Sequence, residues 1–581
     1  MNCLQKILVI ILVACVPLAA MSANHKKKKK KTKATVTHVA NPSQKQAQEE
    51  NVTSSGNIQK DTTEQPKVVT ITSSFKPSLR NAAKINFTAA TPVMDTTRIQ
   101  LSYNIPSQNL FFSYQPVSIK PLALSIDSSY VWENDRYIKV GYGNYRTPYL
   151  ETGLAFGDGE TSIMNVHAKH VSSIGKLPFQ QYGKTDVKAS GIFNNVENNE
   201  LTGNVAFDNS VQYKYGYQPS TLVFSKDQLK QEYNNIALDA GLKNKVPSNY
   251  DISYSSKIKT NYFFDNHSGH EFGLGISASA NKLFGKAFAF DLGTTVDLTT
   301  SKVGNPTAVP NNLYFIDPSF QFKTPDFKLS VGIQPSWNNK EFFVLPNITT
   351  ETKIKNEKFI FQAGWVGYYI KNTYQSLTAF NPWIDLPSTI ENTRVREEYA
   401  GIKGSIGKHF NYNGKVSLLQ FNDQPLFVND TAALNTQSFK VLFESQMQAL
   451  RLHGELGYSE QEKLSVIASA TYTQYTKQIT YDRPYGLLPL ELNGMVRYKV
   501  YKDIIVTSDV SFWDGTHYQG KNLQSFKLSP AMDLNMGSEF SIFPKWNIWF
   551  QLNNLLNDHY QRWNQYQVLG FNVVGGVVYS F

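Results

Sequence analysis

The sequence predicts an all-β fold: a transmembrane antiparallel β-barrel of about 22 strands, with an even number in the range of roughly 16–22, preceded by a disordered N-terminal tail. Three observations lead to this prediction. They are an N-terminal export signal, a long succession of segments in which apolar and polar residues alternate, and a terminal strand that ends on an aromatic residue. Alternation with a period of two is typical of β-strands that separate an apolar from a polar environment.

The composition is compatible with strands in lipid. Mean hydropathy is −0.35 and 41% of the residues are hydrophobic, and no segment after the N-terminal signal has the ~20 apolar residues that a spanning helix requires. A barrel strand needs apolar residues only at alternate positions, so its lumen-facing half keeps the mean hydropathy low. Aromatic residues make up 13% of the chain, and aromatic girdles at the two membrane interfaces would account for that proportion.

Residues 1–23 are predicted to be a cleavable export signal. Lys6 precedes an apolar run, residues 7–20, that is short for a spanning helix, and small residues follow it. The sequence Leu-Val-Ala-Cys that ends at Cys15 resembles a lipobox, so acylation of Cys15 is an alternative. The cysteines of the chain are Cys3 and Cys15, so a cleaved, non-lipidated protein would have neither disulfides nor thiolate chemistry.

Two further segments precede the predicted barrel. Residues 24–67 contain an unbroken run of lysines and then mostly polar residues, which predicts a disordered tail. Most of the formal net charge of +11 comes from this N-terminal part of the chain, so the charge gives no reason to expect a nucleic-acid partner. Residues 68–133 are predicted to be extended, inside the lumen or along the periplasmic rim, because Pro106, Pro116 and Pro121 interrupt them.

Residues 134–581 are predicted to form the barrel. Within 271–280, apolar residues on one face alternate with small or polar residues on the other, and the same alternation recurs in 287–298 and 492–512. A soluble β-sandwich array would place apolar residues inward in domains of ~100 residues, whereas this chain shows one unbroken array. In the first of these segments the face predicted to point outward consists of Phe272, Leu274, Ile276, Ala278 and Ala280.

The lengths of the predicted connections also alternate. The turns 325–326 and 502–503 are short, whereas the connections 372–393, 218–231 and 422–437 are long. Short periplasmic turns that alternate with longer external loops are typical of transmembrane barrels.

The C-terminal stretch 546–581, WNIWFQLNNLLNDHYQRWNQYQVLGFNVVGGVVYSF, resembles the closing strands of TonB-dependent receptors. Those strands run through Asn-Leu-Phe/Leu-Asn and a Tyr to a final strand that ends in Phe. The resemblance implies an integral barrel in the outer membrane of a Gram-negative cell. The residues that carry it are Asn554, Leu555, Leu556, Asn557, Tyr560 and Phe581.

The same terminus carries a predicted assembly signal. Gly576, Tyr579 and Phe581 fit the general pattern by which the barrel-assembly machinery recognises outer-membrane barrels. We expect this machinery to be one partner. The other expected partners are outer-membrane lipid and lipopolysaccharide, and a periplasmic or surface subunit.

The resemblance covers the barrel only. TonB-dependent receptors carry a folded plug with a glycine-rich region before the barrel, and no such region is recognisable in this sequence. The favoured function is therefore a plugless barrel that serves as an accessory or structural subunit of an outer-membrane transport or assembly complex. The alternative is a passive or TonB-coupled channel for nutrient uptake, and a remote alternative is an outer-membrane hydrolase.

One long connection, residues 372–393, suggests a binding site. Tyr374, Phe380 and Trp383 lie close to prolines, which predicts a stiff aromatic loop of the kind that stacks on sugars or docks on a partner. The alternative is that the loop folds over the mouth of its own barrel and that these aromatic residues pack there.

No catalytic, cofactor-binding or metal site is predicted, and we expect the protein not to be an enzyme. The ten histidines are scattered. His267 and His270 flank a turn and could bind a divalent metal weakly, while His453 and His517 could meet a serine only if the strand register aligns them. The sequence has no metalloprotease, P-loop, nucleophile-elbow or dinucleotide motif.

Overall fold

The computed structural model describes residues 136–581 with the exception of 197, 305–306, 431–436, 462, 502–503 and 521. The predicted segments 1–23, 24–67 and 68–133 lie outside the described residues, so the predictions made for them stay predictions. In the part of the chain that is described, no helix is long and apolar enough to cross a membrane.

The described residues form a closed barrel of 22 antiparallel strands. The first strand pairs with both the second and the last, so the sheet has no free edge. Closure gives every strand two hydrogen-bonded neighbours, which is the condition for strands to exist in lipid. The predicted fold class and strand number are confirmed.

The described residues include six further short strands, which pair in three hairpins outside the barrel wall: β16 with β17, β22 with β23 and β26 with β27. Two short helices, α1 (Lys226–Leu229) and α2 (Tyr374–Phe380), also lie in connections. In chain order the strands are β1 (Arg136–Gly143), β2 (Thr147–Gly157), β3 (Ser162–Ile174), β4 (Gln181–Val196), β5 (Asn199–Tyr213), β6 (Lys230–Asn244), β7 (Ile252–Asp265), β8 (His270–Phe284), β9 (Phe288–Lys302), β10 (Val309–Lys323), β11 (Phe327–Asn338), β12 (Glu341–Lys353), β13 (Ile360–Ile370), β14 (Thr393–Ile406), β15 (Phe410–Asn422), β16 (Gln424–Asn429), β17 (Phe439–Glu444), β18 (Met447–Glu460), β19 (Leu464–Thr476), β20 (Leu490–Tyr501), β21 (Ile504–Trp513), β22 (His517–Gln519), β23 (Ser525–Lys527), β24 (Ala531–Phe543), β25 (Trp546–Asn553), β26 (Gln561–Trp563), β27 (Tyr566–Gln567) and β28 (Asn572–Ser580).

The wall is apolar outside and polar inside, as the alternation predicts. In β8, Phe272 is exposed on the outer face while the preceding residue, Glu271, is buried on the inner face. In the terminal strand β28, Val577 and Tyr579 are exposed and Val578 is buried. A lipid-facing surface of apolar side chains around a polar lumen is the arrangement that a bilayer requires.

Aromatic residues lie on the outer face near both ends of the wall. At the end where the chain terminates, Trp546 contacts Tyr579 with ring centroids 4.6 Å apart. At the opposite end, Trp337 contacts Phe342 with ring centroids 5.0 Å apart. Two such belts correspond to the aromatic girdles of the two lipid–water interfaces.

Short and long connections lie at opposite ends of the barrel. One end has tight turns such as 285–287, 324–326 and 544–545, and β1 begins and β28 ends there. The other end carries all the long connections, including 371–392 and 423–446. By the rule for outer-membrane barrels, the short-turn end is periplasmic and the long-loop end is external.

Strand β28 closes the barrel through a tightly packed seam at Gly576. This residue lies opposite Gly141 in β1 and Trp549 in β25. The Trp549 ring covers Gly141 so closely that a Cβ atom there would lie 2.5 Å from the ring. The indole N–H donates to the carbonyl oxygen of Val140 at 3.2 Å, so the ring is fixed over the seam.

Because of this packing, we predict that Gly576→Ala impairs barrel closure. A Cβ atom at Gly576 would lie 1.9 Å from the carbonyl oxygen of Val140, and relief of such a clash costs roughly 1–3 kcal/mol. The matched control is Gly575→Ala, since a Cβ atom there would be 3.5 Å from its nearest neighbour, the carbonyl oxygen of Trp549. Heat-modifiable gel migration reports the folded fraction. Equal folding of the two variants would show that the seam does not limit closure.

Candidate functional site

Six external connections fold together into one structure, which we name the loop cap. It contains both short helices and the three hairpins outside the wall. As far as their residues are described, the connections of the loop cap are 214–229, 371–392, 423–446, 477–489, 514–530 and 554–571.

The loop cap has an apolar core, which consists mainly of aromatic residues. This core combines residues near the external ends of β6, β7 and β9 with residues from the connections that follow β13, β15 and β25. Because these strands lie far apart around the wall, their connections can meet only across the mouth of the barrel. The buried residues of the core are Tyr233, Phe263, Val303, Tyr374, Leu377, Phe380, Ile384, Phe427, Phe439, Trp563 and Tyr566.

Of the three aromatic residues singled out in the sequence, Tyr374 and Phe380 lie in this core, and Trp383 is partly buried and packs against it. Trp383 stacks on Tyr566 with ring centroids 3.9 Å apart, and Phe380 contacts Trp563 at 5.4 Å. Tyr374 is 2% exposed and Phe380 is 8% exposed. The loop therefore folds over the mouth of its own barrel, and the rings of Tyr374 and Phe380 pack inside it. A role of these residues in sugar or partner binding stays a prediction.

Helix α2 is attached to the barrel wall at its N-terminus. Glu271 of β8, which is 1% exposed, accepts hydrogen bonds from the backbone N–H groups of Tyr374 at 2.7 Å and Gln375 at 3.3 Å. A carboxylate at this position pairs with the unsatisfied N–H groups and with the positive end of the helix. The Tyr374 hydroxyl also donates to Asp265, the last residue of β7.

The middle of the same connection, just after α2, is attached to the two neighbouring strands of the wall. The Trp383 indole N–H donates to the carbonyl oxygen of Tyr213 at 3.1 Å, and the Tyr233 hydroxyl donates to the carbonyl oxygen of Pro382 at 2.9 Å. These bonds attach the loop to β5 and β6. The loop is therefore held by hydrogen bonds at the start of α2 and just after α2, as well as by its apolar core.

Neighbouring connections are joined through their backbones. The N–H of Phe439 donates to the carbonyl oxygen of Trp383 at 3.0 Å, and the N–H of Asp385 donates to the carbonyl oxygen of Phe439 at 2.9 Å. The Lys214 ammonium pairs with the Asp385 carboxylate at 3.0 Å. Three connections, 214–229, 371–392 and 423–446, thus share one hydrogen-bonded network.

Arg562 joins the last connection to the rest of the loop cap. It is 3% exposed, its guanidinium packs 4.4 Å from the Trp563 ring centroid, and it donates to the carbonyl oxygen of Gly486 at 3.0 Å. Burial lowers the pKa of Arg562 to about 10, against the opposing effect of Glu491. The guanidinium therefore remains charged at neutral pH, and its hydrogen bond links the connection 554–571 to the connection 477–489.

Glu444, at the end of β17, makes a second link. Its carboxylate accepts backbone N–H groups from Ile479 at 3.0 Å, Thr480 at 2.8 Å and Tyr481 at 2.8 Å. Burial by itself would raise the pKa of this carboxyl, but the backbone donors hold the pKa below its usual value. The ionised form therefore joins 423–446 to 477–489.

Below the loop cap, the lumenal wall carries charges of both signs, many of them paired. Lys415 of β15 contacts Glu397 of β14 at 2.6 Å, and Lys257 of β7 contacts Asp239 of β6 at 3.2 Å. The two opposite charges within each pair neutralise each other.

His517 and His453 lie in different parts of the structure, the first in the connection 514–530 and the second in β18. His517 of β22 lies 3.4 Å from the Ser525 hydroxyl, but no carboxylate in the described part of the chain is hydrogen-bonded to the imidazole. His453 lies in the wall beside Thr471 at 2.8 Å. The described residues contain no group of three or more His, Cys, Asp or Glu that could hold a metal ion.

Reasoning from the sequence missed much of the loop cap. The sequence pattern identified residues 554–571 only as part of the closing strands. In the structure, Arg562 links two connections, and Trp563 and Tyr566 belong to the apolar core. The available signal was the density of aromatic residues in a connection between two strands. The anchors Glu271 and Glu444 carry no comparable signal, because their role depends on contacts distant in sequence.

The Glu444 link predicts that the loop cap loosens in acid. Because the folded pKa is depressed, the stabilisation is complete above the ordinary glutamate pKa of about 4.3 and is lost as the pH falls through the folded value. Hydrogen–deuterium exchange of 477–489, corrected for the intrinsic rate, should therefore increase between about pH 7 and about pH 3.

Substitution separates this effect from general acid unfolding. Glu444→Gln should weaken protection at neutral pH by on the order of 1–3 kcal/mol, the range for hydrogen bonds to a charged group, and should reduce the pH dependence. Glu460→Gln, at the periplasmic end of β18, is the matched control. An unchanged pH profile in Glu444→Gln would contradict the assignment.

No family model and no curated protein matches the sequence. The fold matches the siderophore receptor PirA from Acinetobacter baumannii with a TM-score of 0.60 and 9% identity, over 77% of this chain and 80% of that one.

Two further structures give similar values. The FrpB iron transporter from Neisseria meningitidis matches with a TM-score of 0.59 and 9% identity, over 78% of this chain and 82% of that one. The ferric-catecholate import receptor Fiu from E. coli K12 matches with a TM-score of 0.59 and 9% identity, over 77% of this chain and 82% of that one. Identities this low support a statement about the fold alone. The predicted resemblance to TonB-dependent receptors is confirmed at the level of the barrel fold.

Proposed function

We propose that the protein is an integral outer-membrane barrel whose external mouth is closed by its own loop cap, and that it serves as an accessory or structural subunit of an outer-membrane transport or assembly complex. The observation that carries this proposal is the apolar core, which joins connections from distant parts of the wall. A lumen of 22 strands is wide enough to leak if it is empty, and the loop cap provides a barrier at the external end.

The energetics of the core argue against a diffusion pore. Exposing one large buried side chain costs about 1.5–3 kcal/mol, and the core contains many of them. Its polar links, such as Glu271 with α2, would be broken as well. Spontaneously open states should therefore be rare, whereas a diffusion pore must be open most of the time.

The placement of the aromatic residues favours a subunit over a cargo receptor. A receptor that captures cargo at its external loops needs accessible groups for contact. Here Tyr374, Phe380 and Trp563 are used inside the core, where they are at most 8% exposed. Their rings hold the loop cap together.

A gated nutrient importer is the second candidate. It is favoured by the likeness in fold to siderophore receptors and an iron transporter. In that case, cargo binding outside or energy supplied from the periplasm would have to open the loop cap. The two candidates differ in whether the protein works alone and moves a small molecule.

Purification from native outer membrane in mild detergent tests the subunit proposal. We expect an affinity-tagged chain to co-elute with at least one other protein in a constant ratio that survives size-exclusion chromatography. Membranes that contain the untagged chain, carried through the same purification, control for nonspecific association. Elution of the chain alone, together with restored ferric-siderophore uptake in a receptor-deficient strain, would contradict the subunit proposal and support the importer.

Chemical labelling tests the occlusion of the lumen. Ser277 lies on the inner face of β8, since it shares the face of Glu271, and Lys340 lies in an external turn. We predict that Ser277→Cys reacts with a bulky, membrane-impermeant maleimide at least about ten-fold more slowly than Lys340→Cys. A free energy of ~1.4 kcal/mol for opening the loop cap is already enough to give this factor.

Loosening the core should remove this difference. Adding Phe427→Ala and Trp563→Ala to the Ser277→Cys chain should accelerate labelling, while adding Phe288→Ala, on the lipid-facing surface, should not. Equal rates at the two cysteines in the otherwise unchanged chain would show that the lumen is open to the outside.

A further inference from the structure

Two neighbouring strands of the wall run side by side near their external ends without pairing. The ladder between β12 and β13 stops at the pair of Asn347 with Val366, although beyond this pair β12 remains paired with β11 and β13 with β14. We name residues 341–346 of β12 and 367–370 of β13 the unpaired section. At the other junctions between described wall strands, the ladder reaches to within two residues of the end of at least one strand.

The unpaired section lies at the depth of the outer leaflet. Phe342 belongs to the external aromatic girdle through its contact with Trp337, and Val344, further in on the same face, is 49% exposed. A tilted strand segment of this length descends on the order of 15 Å, which is roughly the thickness of the apolar part of one leaflet. The unpaired backbone therefore lies beside lipid acyl chains.

The local sequence explains why the ladder stops. Pro346 has no N–H group, and a proline inside a strand removes a ladder hydrogen bond. A Cβ atom at Gly367 would lie 2.7 Å from the Leu345 Cβ and 3.0 Å from the Pro346 Cδ, so the two strands touch at the start of the unpaired section. Further out, alternate N–H and C=O groups of each strand point toward the other strand without a ladder hydrogen bond. Lipid offers no water in place of those bonds.

One side chain connects β12 with β14 across the unpaired section. The Arg394 guanidinium lies 3.6 Å from the centre of the Phe343 ring. The Nε of Arg394 and the hydroxyl of Tyr369, the residue of β13 opposite Arg394, are both buried. A cation over an aromatic ring is a favourable contact in such a desolvated place, but it is a single contact where the other junctions have rows of hydrogen bonds. The closed state of this junction therefore depends strongly on Arg394.

The position of the unpaired section matters because the loop cap lies over the external mouth. A molecule inside the lumen would have to break the contacts of the apolar core to leave through the mouth. At the unpaired section, by contrast, β12 and β13 can separate as far as the pair of Asn347 with Val366 without breaking a ladder hydrogen bond. Such an opening would connect the polar lumen with the apolar outer leaflet, and a molecule with a polar and an apolar part fits both environments at once.

We propose that the wall opens laterally at the unpaired section, and that an amphiphile with a polar head and an alkyl chain passes there between the lumen and the outer leaflet. The head occupies the polar lumen, while the alkyl chain extends between β12 and β13 into the lipid. The contact of Arg394 with Phe343 keeps the opening shut when no amphiphile is present. This inference rests on the pairing of the wall strands and is independent of the subunit role.

Labelling of two inward-facing positions in liposomes that contain the full chain tests the proposal. Leu345 is fully buried beside the unpaired section, whereas Leu313 of β10, 3% exposed, is paired with both neighbouring strands. We expect Leu345→Cys to react with N-dodecylmaleimide, which partitions into the bilayer, at least about ten-fold faster than Leu313→Cys. A bulky water-soluble maleimide should show no such preference, because it does not enter through the bilayer.

Substitution of the bridging arginine provides a second comparison. Arg394→Ala should accelerate the reaction of Leu345→Cys with N-dodecylmaleimide at least about five-fold, because a desolvated cation–π contact is lost. Arg394→Lys keeps a cation and should change the rate less. The matched control is Arg396→Ala, which removes an exposed arginine from the same strand, and heat-modifiable migration confirms that each variant is folded.

Equal rates of Leu345→Cys and Leu313→Cys with N-dodecylmaleimide would overturn the proposal, because the alkyl chain would then not enter at the unpaired section. An equal preference of the water-soluble maleimide for Leu345→Cys would overturn it as well, since the difference would then arise inside the lumen. An unchanged rate in a folded Arg394→Ala variant would contradict the role of Arg394. If that variant does not fold, the comparison of the two cysteines in the otherwise unchanged chain still decides.

Discussion

The structure depends on the pairing of the last strand with the first. In lipid, no water is present to satisfy an unpaired backbone N–H or C=O group, so a sheet can span only if it closes. β28 provides this closure by pairing with β25 on one side and β1 on the other. The seam requires glycine at Gly141 and Gly576, because the Trp549 ring and the neighbouring backbone occupy the space of a side chain. The aromatic C-terminus continues this strand at the periplasmic interface.

Closure of a large ring also encloses a wide lumen, and the loop cap covers the external end of that lumen. A ring of 22 strands encloses a wide polar lumen, and its long connections all emerge at one end. Those connections bury their aromatic side chains against one another and against the strand ends, as in the contact of Tyr374 with Phe263 at 5.4 Å. The polar anchors join the loop cap to the wall, most directly through Glu271 beneath helix α2. The loop cap is thus attached to specific residues of β5 to β8.

The barrel was predictable from the sequence because its signal is local. Each strand repeats the same two-residue alternation, and the terminal pattern identifies the closing strands, so the strand number could be inferred without any knowledge of partners. The ends of the long connections were less predictable: the connection predicted as 422–437 extends to residue 446, because β16 and β17 pair with each other outside the wall. The loop cap was not predictable in the same way. Its contacts join residues far apart in the sequence, such as Trp383 with Tyr566, and their geometry depends on the register of many strands between them. The approach of His517 to Ser525 likewise depends on the pairing of β22 with β23. The aromatic content of residues 372–393 indicated that the loop matters, but could not distinguish an exposed binding surface from a buried core.

Conductance in planar bilayers tests the central claim, that the external mouth is closed by the loop cap, most directly. The full chain should give no stable open channel, whereas a chain in which 371–392 is replaced by a short Gly-Ser linker should conduct, because the centre of the apolar core is lost. A chain with the same replacement at 214–229, which contributes less to the core, should conduct less. Stable, wide conductance of the unchanged chain would contradict the account, as would silence after removal of 371–392.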